Sequence, residues 1–522
     1  MIFAEGILRS ILYIPYSGKE YNHHLTAHPK SGKLMDIFRI ILPFLAFCEA
    51  DMVFSSYIFI FTFLPVVLLG YFGLSKLKNP FPQRLFLILA SLFFYGYYNV
   101  SYLTLIVVSI VINYAVALCL PKKGGILFYV AGILFNVCLL GYFKYYDFFI
   151  SNVNALFATS FQLKHIVLPL GISFFTFQQL SFLISVWNKE TALESFWDYC
   201  IFVLFFPQLV AGPIVLYSEM IPQFKDLRRR TFHADHFARG IYMFCIGLFK
   251  KIVIADTLAL FVNNGFSAGS LGFCAAWATA LSYTFQIYFD FSGYSDMAIG
   301  LGQMFNIDIP ENFRSPYLSE SITVFWRRWH ITLGRALSTY VYRPLGGNRR
   351  GAARTYLNLF LTFLVSGLWH GAAWTFVLWG VLHGICMVVE RFLGKRLDRI
   401  PRVLRIGVTF LIVNALWVLF RAENFAQAQM VYAGMCNLSW LAPGQMGMLI
   451  NDGLIAFPNA ISIAYLLGIL GVLFVVIWAA PSSITQYQKF TPNRKTMIFT
   501  AIIFCVSLLH LSRESVFIYF NF

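Results

Sequence analysis

The chain has 522 residues, of which 59% are hydrophobic, 18% aromatic and only 12% charged, with a mean hydropathy of +0.70. This composition excludes a soluble globular domain. The formal net charge of +16 does not indicate a nucleic-acid partner, because Lys and Arg cluster in short connectors between apolar runs, the pattern of cytosolic loops in membrane proteins.

Residues 1–51 differ from the rest. The polar stretch "YSGKEYNHHLTAHPKSGK" is followed by "IFRIILPFLAFC", an apolar run too short to span a bilayer comfortably. His23, His24 and His28 fall here with no carboxylate or cysteine spaced to complete a metal site. From Met52, "MVFSSYIFIFTFLPVVLLGYFGL" is a good first span. Residues 1–51 therefore read as an N-terminal extension, with Met52 an alternative start, and residues 52–522 as one membrane domain.

Lys76, Lys78 and Arg84 follow the first span, uncharged "NVSY" the second, Lys122 and Lys123 the third, and Lys144 beside Asp147 the fourth. This alternation puts the start of the first span outside and the Lys-bearing loops inside. Further apolar runs near 166–187, 199–218, 240–262, 272–301, 355–389, 403–420, 459–479 and 496–511 complete an all-α polytopic membrane protein of about 11 to 12 transmembrane helices. "LPLGISF" (169–175) and "FFPQLVAGPIVL" (205–216) place Pro and Gly in apolar surroundings, which predicts broken or re-entrant helices packed against protein or water. Nine cysteines stand singly without a CxxC pair, so they read as small buried hydrophobes, and no metal cluster is expected.

Ionisable residues inside spans default to a functional hypothesis because they are costly there. Asp290 and Asp296 in "FQIYFDFSGYSDMAIGLG" are six residues apart, about 240° around a helix, and so do not form an evident dyad. The alternative reading is that each is paired with an Arg or caps a helix broken at Gly293. From Ser321 to Val389 there is no acidic residue, yet Arg327, Arg328, Arg335, Arg343, Arg349, Arg350 and Arg354 occur, which marks a cytosolic face. "YRPLGGNRRGAAR" (342–354) reads as a basic loop, and "WRRWHITLGRAL" (326–337) as an amphipathic or partly inserted helix with interfacial Trp residues, placing His330 near the inner mouth.

His370 lies 16 residues beyond Arg354, roughly 24 Å deeper along a straight helix. Ser366, Gly367 and Gly371 permit close helix approach or a break beside it. A neutral buried histidine suits a general base; the alternative is a structural histidine bonded to a carbonyl. His383, 13 residues on and about 220° around a continuous helix, faces away. No GxSxG elbow, HExxH helix or phosphate-binding Gly-rich loop is present.

Together "QIYFDFSGYSDMAIG", "ENFRSPYLSESITVFWRRWHITL", "YRPLGGNRRG" and "SGLWHGAAWTFVLWG" closely resemble the membrane-bound O-acyltransferase family, most of all its bacterial branch acting in alginate and other exopolysaccharide O-acetylation. The resemblance extends from Met52 to the final "FIYFNF". It implies a ring of helices around a thinned membrane centre, a cytosolic acyl-thioester donor such as acetyl-CoA with no further cofactor, and a polysaccharide acceptor reached through an extracytoplasmic acetyltransferase partner. The expected location is the bacterial cytoplasmic membrane. It implies His370 as the catalytic histidine and His330 as a second one, orienting the donor or stabilising the oxyanion. Candidate substrate-binding residues are Arg327, Arg328, Asp290, Asp296, Trp369 and Asn312, the two arginines serving either donor phosphates or interface anchoring. A D-alanyl transfer protein of teichoic acid modification would share the fold and both histidines. A polysaccharide or lipid transporter would account for broken helices and buried Asp residues, but not for the deep histidine.

Overall fold

A computed structural model describes residues 52–437, 459–511 and 518. The expectations for residues 1–51, including the alternative start and the three histidines there, lie outside the described residues.

Among the described residues helix is the only extended regular structure, beside one isolated antiparallel bridge between Phe313 and Trp329. Helices satisfy all but their terminal backbone groups internally, which lipid requires. Among the described residues four helical stretches are long and apolar enough to cross a bilayer: Val100–Cys119, Gly125–Phe157, Trp374–Arg399 and Arg402–Arg421. Three shorter apolar ones are Phe59–Leu74, Ile172–Trp187 and Tyr465–Ala479. Other apolar runs of the sequence are divided. The 199–218 run becomes Phe196–Leu204, Phe206–Leu209 and the start of Tyr217–Lys225. Its non-helical part, including Val210, Ala211, Ile214 and Val215, is buried in protein, the only setting in which irregular backbone is stable at membrane depth. The 355–389 run is a helical hairpin, Gly351–His370 and Trp374–Leu393, with its break at Gly371–Ala373.

Burial is inverted relative to a soluble protein. Large apolar side chains such as Leu69, Leu127, Leu156, Val403 and Leu509 face outward, whereas Asn113, Asn136 and Gln179 are buried and hydrogen-bonded to one another. An outer apolar surface costs nothing in lipid, and inward polar groups tie helices together. The central element is the Phe273–Met304 helix, buried along almost its whole length. It packs on Ala234–Phe249 through two glycine pairs: a Cβ on Gly247 would lie 2.5 Å from the Gly293 carbonyl, and one on Gly240 2.7 Å from that of Gly300. Side chains at these positions would hold the two helices apart.

Among the described residues four π-helical turns interrupt the helices, at Phe59–Phe63, Gly141–Tyr145, Lys250–Ala255 and Ser338–Tyr342. Such turns concentrate at functional positions because the extra residue re-aims neighbouring side chains.

Candidate active site

His370 is the last residue of its helix, and Gly371 leaves it in extended conformation. The hairpin closes tightly below it: a Cβ added at Gly367 would sit 3.0 Å from the Gly380 Cα and 2.4 Å from the Phe376 carbonyl. That approach seats the His370 ring, 2% exposed, against Trp379 at 5.2 Å, Phe420 at 5.1 Å and Trp369 at 5.0 Å between centroids.

His330 sits in the left-handed region at φ +46, joining the short helices Ile322–Arg328 and Ile331–Leu337. For a side chain with a Cβ this conformation costs roughly 1–2 kcal/mol and needs surrounding support. The support is an antiparallel pairing with the "ENF" segment: Ile331 N–H donates to the Asn312 carbonyl at 3.0 Å and Arg314 N–H to that of Arg328 at 3.0 Å. It also delivers the Asn312 side chain to the imidazole. Asn312 Oδ1 accepts from Thr332 N–H at 3.2 Å and Thr332 Oγ1 at 2.7 Å, and lies 3.3 Å from His330 Nδ1. A backbone N–H only donates, so the atom facing it is the amide oxygen, and His330 Nδ1 must carry the hydrogen it shares with that oxygen. The neutral ring then presents Nε2 as a bare acceptor. Nε2 is buried and has no hydrogen-bond partner among the described residues.

The two histidines flank one indole, with ring centroids 6.1 Å from His330 to Trp369 and 5.0 Å from Trp369 to His370. His330 is 1% exposed, so it is enclosed by protein although its neighbours Arg327 and Ile331 line a cavity. Trp329 is not interfacial; it packs at 5.0 Å on Phe313 and 4.9 Å on Trp417. The left-handed turn at His330 splits the amphipathic pattern into two short helices and sends the segment inward.

The structure corrects the expectation for His383. The helix break at Gly371–Ala373 resets the rotation counted from His370, and His383 comes within 4.7 Å of the Trp379 ring that also contacts His370. Trp326 Nε1–H donates to its Nδ1 at 3.2 Å, so the hydrogen of the neutral ring is on Nε2.

Asp290 and Asp296 are not brought to the histidines. Asp290 is 2.8 Å from Lys251 and Asp296 2.6 Å from Lys250, ion pairs with lysine where arginine was anticipated. The two lysines are adjacent on the π-helical turn, and the helix bearing the aspartates continues unbroken through Gly293. Arg328 donates to the Leu318 carbonyl at 3.3 Å.

Arg327 lines a cavity of about 950 Å³. Its wall includes Arg391, Arg335 and Arg405, the acidic Glu320, Glu390 and Asp398, and, from the histidine helix, Thr362, Phe363 and Ser366. Arg335 is paired with Glu219 and Arg405 with Asp398, whereas Arg327 and Arg391 make no ion pair among the described residues. Ser366 is four residues before His370, hence on the same helix face one turn away. The sequence reading took this serine only as a small residue that permits close helix approach, and Lys144 only as a loop charge. Among the described residues no group of three His, Cys, Asp or Glu side chains could hold a metal.

The sequence profile described as "MBOAT, membrane-bound O-acyltransferase family" matches residues 98–421, a stretch containing both histidines, Asn312 and most of the cavity wall. The chain belongs to the membrane-bound O-acyltransferase family. It is a multi-pass membrane acyltransferase. A peptidoglycan O-acetyltransferase of Helicobacter pylori is 43% identical over 517 aligned positions, covering 90% of this chain and 98% of that protein. A probable alginate O-acetylase, AlgI, of Pseudomonas aeruginosa is 44% identical over 397, covering 74% and 75%. A teichoic acid D-alanyltransferase of Bacillus subtilis is more distant, 26% identical over 278, covering 49% and 69%. In this acyltransferase the two histidines flank Trp369, and the helix that ends at His370 forms part of the cavity wall.

Proposed function

We propose that this protein transfers an acetyl group from a cytosolic thioester such as acetyl-CoA to a hydroxyl met at His370, for O-acetylation of a glycan outside the bacterial cytoplasmic membrane. The observation that carries the proposal is the cavity: two arginines without a carboxylate partner among the described residues line it, and its wall includes Thr362, Phe363 and, fully buried, Ser366 of the helix that ends at His370. Arg327 and Arg391 suit the phosphates of a coenzyme A-type donor. His370 takes the acceptor hydroxyl proton as that oxygen attacks the thioester carbonyl; the C–O bond forms, the C–S bond breaks, and the proton passes from His370 to the departing thiolate. His330, neutral with its hydrogen on Nδ1, presents Nε2 as an acceptor for a further hydroxyl of the glycan, and acts as a donor to an oxyanion only when protonated. An extracytoplasmic acetyltransferase partner relays the acetyl group to the polymer. The alignment with the peptidoglycan enzyme runs the length of that protein while that with the alginate enzyme covers three-quarters, which favours a cell-wall glycan.

The test is His370→Ala in cells, with base-releasable acetate on the glycan as readout and membrane abundance as control. General-base assistance is worth about 10²–10⁴ in rate, so acetylation falls at least that far at equal abundance. A loss below tenfold contradicts the assignment. Loss of glycan export together with acetylation would instead point to a transporter.

A further inference from the structure

The end of the helix that carries His370 poses an accounting problem. The last four carbonyls of any α-helix lack intrahelical partners, and here they belong to Gly367, Leu368, Trp369 and His370. Gly371 N–H reaches the first at 3.4 Å. The other three are met from more than 200 residues away, by two consecutive side chains on the π-helical turn Gly141–Tyr145. Tyr145 Oη donates to the Leu368 carbonyl. Lys144 Nζ donates to Trp369 at 2.5 Å and to His370 at 3.1 Å.

The geometry points to Lys144, assisted by Tyr145, as the residue that fixes the reactive end of the His370 helix: a positioning cation, not one that meets substrate. Valence decides between the two roles. An ammonium has three hydrogens, and Lys144 spends them on the Trp369 carbonyl, the His370 carbonyl and Ser173 Oγ at 3.3 Å, leaving none for a thioester or a phosphate. No carboxylate lies within ion-pair distance of it among the described residues; its counter-charge is the negative end of the histidine helix itself. It also stands 5.8 Å over the Trp369 ring, the indole between the two histidines. The π turn explains how adjacent residues reach one helix end: the extra residue widens the turn and brings positions 144 and 145 to the same side. Read from sequence, Lys144 was a loop charge beside Asp147. Asp147 is engaged elsewhere, by the N–H groups of Lys164 and Ile166.

The inference rests on the transfer reaction proposed above for its activity readout, and a second readout is independent of it. In proteoliposomes of the full chain with acetyl-CoA and a soluble glycan fragment, Lys144→Met lowers kcat by about tenfold or more while the donor KM stays within about twofold, because aim is lost and not binding. Lys144→Arg, which keeps the charge and the donors, restores most of the rate. Hydrogen–deuterium exchange in the peptide around residues 366–374 speeds up in Lys144→Met and not in Lys144→Arg. Unchanged kcat in Lys144→Met at equal abundance overturns the proposal, as does a raised KM at constant kcat or an arginine variant as slow as the methionine one. If Lys144→Met does not accumulate, Tyr145→Phe decides, since it removes one carbonyl contact: the same signature at smaller size is expected, and wild-type kcat with wild-type exchange overturns the proposal. Should His370→Ala retain activity, the general-base reading fails while the exchange result still reports on the cap.

Discussion

Two neighbouring layers of the protein bury polar side chains, and they resolve the cost in opposite ways. Along the Phe273–Met304 helix, Asp290 and Asp296 each face a lysine of the Lys250–Ala255 turn, and Lys251 also meets Asp256 at 2.6 Å. Around Trp369, by contrast, His330 Nε2, Ser366 Oγ and Trp369 Nε1 are buried with no hydrogen-bond partner among the described residues. A buried polar atom without a partner costs about 1–3 kcal/mol, so a fold keeps several in one place only where something else fills them. Open atoms also occur on the Phe273–Met304 helix, at Ser282 Oγ, Gln286 Oε1 and Ser292 Oγ, so what distinguishes the second layer is that it has no ion pair among the described residues and that its open atoms surround the two histidines.

Breaking the first layer gives the largest effect. Removing one member of a buried ion pair costs about 3–5 kcal/mol, so Asp290→Ala sharply reduces the folded protein recovered from membranes, while the molecules that remain keep near-normal turnover. Monodispersity by size exclusion and activity per folded molecule separate the two quantities. Normal recovery with lost turnover would move Asp290 into the chemistry.

The second layer predicts the converse. Asn312→Ala frees His330 to change tautomer and leaves Thr332 N–H and Oγ1 without their acceptor, so recovery falls somewhat and kcat per folded molecule falls by about 5- to 150-fold, the equivalent of about 1–3 kcal/mol. Asn312→Asp, which retains an acceptor oxygen, recovers part of it. Equal turnover in Asn312→Ala would show that the tautomer of His330 does not matter. The smallest effect is at the rim: Arg327→Gln raises the donor KM by about two- to fivefold, the ~0.5–1 kcal/mol of an exposed charge contact, and the difference fades at high salt.

Class, helix content and the small residues that allow a break near Gly371 were legible in the sequence, because apolar run length and Gly positions each have a direct structural cause, whereas His330 was joined to His370 only through the family resemblance. What was not legible depends on partners distant in the chain. Nothing local says that Lys250 and Lys251 answer Asp296 and Asp290, since that needs a π turn opposite the aspartates. Counting rotation from His370 to His383 failed because it assumed an unbroken helix across Gly371–Ala373. Hydropathy placed Trp329 at the interface, whereas the left-handed turn at His330, held by backbone pairing with Asn312 and Arg314, carries it inward. Lys144 looked like a loop charge because its partners are carbonyls more than 200 residues away, which no composition reveals.

The account stands on the cavity delivering the donor to within a helical turn of His370, and Ser366 reports on that step. In a His370→Ala background, which prevents turnover, a cysteine substituted for Ser366 is alkylated by a small neutral maleimide, with the native cysteines replaced. Acetyl-CoA at saturating concentration slows that alkylation several-fold, and Arg327→Gln shifts the protecting concentration upward. Alkylation at an unchanged rate in the presence of donor, from a protein shown to bind that donor, would contradict the route from the arginine-lined cavity to His370.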